Sequence, residues 1–117
     1  MTQGQLFDKL NRESSLVEIQ EYISRVIELR GFSEQPVENG MLLLLEEAGE
    51  LAKAIRKGCK GMSVEKVRTD KYGDIEGEAA DVFIVLVSIC NRLGIDLFDA
   101  FLGKERINCE RAWSVNG

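Results

Sequence analysis

The segment from Asp74 to Leu93 constrains the fold more than any other. Wound at about 100° per residue, its apolar side chains, from Ile75 through Val82, Ile84, Leu86 and Ile89 to Leu93, cover nearly the whole circumference. A helix that is apolar all round belongs in an interior. Two acids nevertheless lie inside it. Glu78 and Asp81 stand at i and i+3 and so share a face, with Val85 one turn further on. A bare carboxylate in such surroundings is costly unless it is paired or bound to a metal.

The rest of the chain reads as helix too. It has one proline, Pro36, and long periodic segments of Leu, Ile, Glu and Ala. The periodicity predicts main helices over 15–30, 37–57, 74–93 and 96–113, in a single domain spanning 1–117 with 1–13 as an N-terminal extension. Ser14 or Ser15 starts the first, with Glu18 placed for a capping box, and Gly31 followed by Pro36 stops it. Gln5 to Leu10 reads as a helical turn packed by Leu6, Phe7 and Leu10. In the second, Met41, Leu44, Leu45, Ala48, Leu51, Ala52 and Ile55 make the apolar stripe. Gly94 ends the third, and Asp96 caps the fourth. The expected architecture is all-α, a four-helix bundle or close relative. Leu42 and Leu43 fall outside the stripe of the second helix, so a second buried face and a homo-oligomer are expected, a homodimer or homotetramer.

Composition removes several function classes. The chain has no histidine, which excludes a catalytic triad with a histidine base and any metal site that needs imidazole. Its 15 basic and 20 acidic residues give a net charge of −5, a poor basis for nucleic-acid binding. No run of 18 apolar residues suggests a membrane span. Cys59, Cys90 and Cys109 have no metal-ligand spacing. An odd count, with no apolar core in the first eleven residues, points to a reduced, cytoplasmic protein. Cys90 and Cys109 fall in helical apolar patterns and read as small core residues, whereas Cys59 lies in a basic stretch with Lys60, Lys66, Arg68 and Lys71.

The second helix offers carboxylates to match those of the third. Glu47 and Glu50 lie on the edge of its apolar stripe, while Glu46 is turned roughly 100° further away, toward a cleft or solvent. Gly49 sits mid-helix at about 1 kcal/mol relative to alanine, and its missing side chain leaves room beside the acids for a ligand. If the two helices are neighbours, Glu47, Glu50, Glu78 and Asp81 converge into an all-oxygen site. Such a site suits Mg²⁺ or Mn²⁺ and disfavours zinc. Each motif alone has a plainer explanation. An EExxE run is usually a solvated face, and Glu78 and Asp81 could pair with Arg92 or a lysine. The fourth helix carries Lys104, Asn108 and Arg111 at i, i+4 and i+7, a line suited to a polyphosphate or base edge, though also to a solvated face. Arg56 and Lys57 are placed to reach the same phosphates, and Tyr72 and Trp113 are candidates for base stacking.

Glu46-Glu47-Ala48-Gly49-Glu50, then Glu78-Ala79-Ala80-Asp81 continuing into Val82-Phe83-Ile84, and the later Lys104, Asn108, Arg111 and Trp113, resemble the MazG-type all-α nucleoside triphosphate pyrophosphohydrolases. The resemblance runs from about Leu16 to Trp113. It implies Mg²⁺-dependent hydrolysis of an NTP or dNTP to the monophosphate and pyrophosphate, including removal of non-canonical or excess nucleotides. It also implies a homo-oligomer with sites near subunit interfaces. Carried over, Glu47, Glu50, Glu78 and Asp81 are metal ligands, and Glu46, counted with Glu47 as catalytic, either supports those ligands from behind or is the base that orients water. Lys104, Asn108 and Arg111 are nucleotide contacts, and Lys57 joins them as a substrate contact from its own place on the second helix. The long stretch from Lys57 to Asp74 departs from the family pattern and bears on the site entrance. Two alternatives stand beside this reading: a related pyrophosphatase acting on phosphoribosyl-ATP or dUTP, and a non-catalytic helical module that binds metal or nucleotide.

Overall fold

The computed structural model describes residues 1–59 and 72–111. The basic residues Lys60, Lys66, Arg68 and Lys71, the side chains of Cys59 and Tyr72, and Trp113 lie outside the described part.

Among the described residues five helices follow one another and there is no strand. Helix α1, Gln3–Phe7, is a short turn capped by Thr2. The Thr2 hydroxyl accepts from the Gln5 amide at 3.1 Å and the Gln5 side chain accepts from the Thr2 amide at 2.9 Å. It begins earlier than expected because this reciprocal cap is local and complete. Helix α2, Leu16–Leu29, has the anticipated capping box of Ser15 and Glu18. It ends at Gly31, whose φ of +83° only glycine adopts freely. There the Phe32 amide reaches back to the Ile27 carbonyl and the Gly31 amide to that of Glu28, the glycine stop that satisfies the last carbonyls. Gly94, φ +70°, ends α4 in the same way.

Helices α3, Val37–Cys59, and α4, Tyr72–Arg92, form the main pairing. They run antiparallel, since Gly40 lies against Ile89 while Glu47 lies against Glu78 and Asp81. Helix α2 packs on the other side of α4. Val26 and Val87 are fully buried, and Ile23, Ile89 and Cys90 join them in the core. Helix α5, Leu97–Glu110, is capped by Asp96, whose carboxylate accepts from the Asp99 amide at 3.0 Å.

The all-helical expectation holds, but the described residues leave much apolar helix surface uncovered. Helix α5 packs on α2 and buries no residue. The apolar circumference of α4 is likewise not fully covered among the described residues, and Phe83 and Leu86, with Leu93 just past its end, remain exposed. Cys109 is exposed rather than part of the core, because the helix that carries it buries none of its side chains among the described residues. Helix α5 also stops at Glu110, short of the expected end, with Arg111 extended at φ −73° and ψ 144°.

The stripe by which α3 meets α4 also differs from the expected one. The shielded positions are Val37, Gly40, Leu44, Glu47, Leu51, Ala54 and Gly58, spaced alternately by three and four. Met41, Leu45 and Ile55 face outward. Small residues decide this. A Cβ placed on Gly40 would stand 3.1 Å from Cγ1 of Ile89, so glycine permits an approach that a larger residue would widen. A narrow seam of this spacing is the geometry of two helices packed nearly along each other. No helix among the described residues is long and apolar enough to cross a membrane.

Candidate metal centre

The antiparallel pairing of α3 and α4 brings the two acidic motifs together. Carboxylate oxygens of Glu47, Glu78 and Asp81 lie within 4.8 Å of one another. Glu47 stands in the seam, not on its edge, and is half-buried, as is Glu78, while Asp81 is exposed. The geometry follows from spacing. Glu47 occupies a seam position between Leu44 and Leu51, and Glu78 and Asp81 are one turn apart on the facing helix.

Such a group is electrostatically unfavourable by itself. Partial burial raises the Glu47 carboxyl above the ordinary carboxylate value, and the nearby charges of Asp81, Glu78, Glu50 and Glu46 raise it further, in that order. The four other acids of the two motifs thus all act on Glu47, and among the described residues no cation offsets them there. Arg92 does not serve. Eleven residues separate it from Asp81, about 16 Å along a helix, and its guanidinium donates instead to the Gln35 carbonyl. The donor set is three close carboxylates with no thiolate or imidazole, which fits a hard divalent cation that takes oxygen ligands.

The remaining predicted residues are placed less centrally. Glu50 is exposed, one turn beyond Glu47 and outside the closest group. Glu46 faces a cavity of about 480 Å³ that runs along the same side of α4, past Val85 and Ser88 to Arg92. Gln35 and Asn39 add polar groups to a wall otherwise made by Phe32, Leu43 and Ile84. This volume lies in the range of small-molecule sites. Lys57 is exposed near the end of α3, ten residues and about 15 Å from Glu47 along the helix. Lys104 and Asn108 lie on α5, away from the seam, and the Asn108 amide donates to Glu105 at 2.8 Å. Arg111 follows the last helical residue, its amide still bonded to the Asn108 carbonyl, and the chain turns out of the helix after it. A Cβ on Gly49 would meet nothing within 4 Å, consistent with free space beside the acids.

One polar constellation escaped the sequence reading. Gln20 is buried on α2 and fully hydrogen-bonded to Asn91 and to the turn before α5. The signal was present: Gln20 interrupts the apolar row of Leu16, Ile23 and Ile27 on the inner face of α2.

A search among curated proteins found no match. The family model described as the MazG nucleotide pyrophosphohydrolase domain matches residues 35–106, more than half of the chain and a span that contains both acidic motifs. An all-helical chain in which Glu47 faces Glu78 and Asp81, matched over that span, belongs to the MazG nucleotide pyrophosphohydrolase domain family.

Proposed function

We propose that the protein hydrolyses a nucleoside triphosphate, NTP or dNTP, to the monophosphate and pyrophosphate in a Mg²⁺-dependent reaction, with Mn²⁺ an effective substitute. The observation that carries this reading is the meeting of Glu47, Glu78 and Asp81 within 4.8 Å, beside a cavity of nucleoside size, in a chain of this family. Glu47, Glu78 and Asp81 would hold the cation, with Glu50 supplying a further oxygen from the next turn of α3. When bound, the cation neutralises phosphate charge and acidifies water.

The chain's own groups account for the remainder. Glu46 borders the cavity next to the cluster and is the carboxylate left to orient water and take its proton. Water adds at phosphorus, the anhydride bond between the α- and β-phosphates breaks, and pyrophosphate leaves. The apolar cavity receives the base and sugar, where Ser88, Asn39 and Arg92 offer hydrogen bonds. Lys104 and Asn108 contact the nucleotide, with Arg111 and Lys57 as further cationic contacts. The exposed apolar residues of α3, α4 and α5 support a homodimer or homotetramer.

A panel of canonical and modified nucleotides, with dUTP and phosphoribosyl-ATP included, tests this by Mg²⁺-dependent pyrophosphate release. Glu47→Gln or Asp81→Asn is expected to lower the rate by about a thousandfold or more. Wild-type rates in both variants would overturn the site assignment.

A further inference from the structure

The cavity beside the acids has a direction and a length. On α4 it begins one turn past Asp81, at Ile84 and Val85, and ends at Arg92, the last residue of the helix. At about 1.5 Å per residue, Val85, Ser88 and Arg92 stand roughly 6, 10 and 16 Å beyond Asp81. Helix α3 runs the other way, so Leu43 and Asn39 stand roughly 6 and 12 Å from Glu47 in the same sense. A nucleotide whose phosphates lie at the acidic cluster would lay its sugar against Leu43 and Val85, and only its base would reach the far end.

The polar side chains of the cavity follow that division. Glu46 stands at the near end, and among the described residues the others are Ser88, Asn39, Gln35 and Arg92, all in the half away from the cluster. Three of these are joined. One terminal nitrogen of the Arg92 guanidinium donates to the Gln35 carbonyl, and the Asn39 side-chain amide donates to Oε1 of Gln35 at 2.8 Å. The first bond holds the guanidinium at the end of the cavity and leaves its other N–H groups without a partner among the described residues. The second leaves the Asn39 side-chain oxygen to accept. The far end therefore offers a positively charged fork of donors beside one amide acceptor, and no described carboxylate lines it.

This pattern is selective among bases. A guanidinium has donors only and must be met by acceptors. Guanine presents O6 and N7 side by side, the pair that an arginine fork fits, whereas adenine carries an amino donor in place of O6. One-ring bases stop short of this end by the length of a ring. The N1–H of a 6-oxopurine, next to O6, is a donor of the kind the Asn39 oxygen accepts.

We propose that Arg92 selects 6-oxopurine nucleotides, those of guanine and hypoxanthine, by donating to O6 and N7 while Asn39 accepts from N1–H. This rests on the reading of the acidic cluster as the nucleotide-hydrolysing centre, and it names the base which that reading leaves open. Arg92 acts through the base alone, remote from the cation and the bond that breaks.

Pyrophosphate release from GTP, ITP, ATP, CTP and UTP in Mg²⁺, with the deoxynucleotides alongside, tests it. The kcat/KM values of GTP and ITP are expected to exceed those of ATP, CTP and UTP by about tenfold or more, chiefly through KM. Arg92→Gln should bring GTP down to the level of ATP. Arg92→Lys keeps a charged donor but loses the fork, and should retain part of the preference. Equal values for all bases, a preference for ATP or a pyrimidine, or a loss in Arg92→Gln that is the same for every nucleotide overturns the proposal. A binding measurement separates it from the hydrolase reading. Calorimetry with the α,β-methylene analogues of GTP and ATP in Mg²⁺ should show the guanine analogue bound about tenfold or more tighter by the wild type, and the two bound about equally by Arg92→Gln. A wild type that shows this difference but hydrolyses no nucleotide sinks the hydrolase reading and upholds the base assignment. Equal binding by the wild type overturns the assignment whatever the turnover.

Discussion

Helices α4 and α5 are consecutive, both end-capped, and both carry large apolar side chains, yet they are held by different forces. The second half of α4 is fixed by burial, with Val87, Ile89 and Cys90 packed against neighbours on both sides. Helix α5 buries nothing and is directed by the Gln20 amide. Burial makes α4 a fixed wall on which the acids of α3 can be met at short range. A polar clamp at one end makes α5 a directed arm whose apolar side faces outward. The site divides along the same line, with its carboxylates on the buried pair of helices and its candidate phosphate contacts on the arm.

The sharpest way to break the contrast is to truncate one residue in each helix. Val87→Ala removes two methyl groups from a fully buried position and is expected to cost about 2 kcal/mol in urea unfolding. Phe101→Ala, on an exposed face, should cost at most about 0.5 kcal/mol of chain stability. Any larger loss there should depend on protein concentration, because it would report assembly. Equal, concentration-independent costs at the two positions would remove the distinction.

Gln20→Met keeps the length of the side chain and deletes its hydrogen bonds. It is expected to cost about 1–2 kcal/mol, since the Leu97 amide, Oδ1 of Asn91 and the Ile95 carbonyl lose their partner. Hydrogen exchange should show the effect concentrated at Leu97 and through α5, with α4 near Val87 unchanged. Loosening spread evenly over both helices would show that α5 is held by something other than the clamp.

The smallest effect separates two carboxylates of opposite habit. Glu47 is raised by burial and by its acidic neighbours, so the folded chain binds its proton more readily than the unfolded one. Without divalent cations, stability should therefore rise as pH falls from neutrality through the raised value toward the ordinary carboxylate range. Glu18 is lowered by its bonds to the Ser15 backbone and hydroxyl. Its contribution is present above the ordinary carboxylate value and lost only as pH falls through the lowered one. Calorimetry in chelator should show a shallow maximum in mild acid. Glu47→Gln should raise the melting temperature at neutral pH and flatten the limb that climbs from neutrality, and Mg²⁺ should stabilise the wild type but not this variant. A melting temperature unmoved by both the substitution and Mg²⁺ would count against a cation site at the cluster.

Much of the local structure is legible in the chain. The caps at Ser15 and Asp96 and the stops at Gly31 and Gly94 depend on a few neighbouring residues, so the sequence states them directly. The seam of α3 was less legible. Leucine marks apolarity, but the seam takes in Gly40 and leaves Met41 and Leu45 outward, because the close approach to Ile89 there admits only the smallest side chain. That shift moved Glu47 from an edge into the seam and left Glu50 outside it.

What the sequence by itself determined is the helical class, the ends of its capped helices, and the two acidic pairs with the spacing that puts each on one helix face. These are short-range properties of backbone geometry and side-chain chemistry. The tertiary structure decided which acids converge, that Arg92 turns to Gln35 instead of to them, and that Lys104 is carried away from its own cluster. Each of those depends on helix register and direction, set by contacts such as Gly40 with Ile89 and Gln20 with Asn91, between residues 49 and 71 positions apart that no local pattern relates.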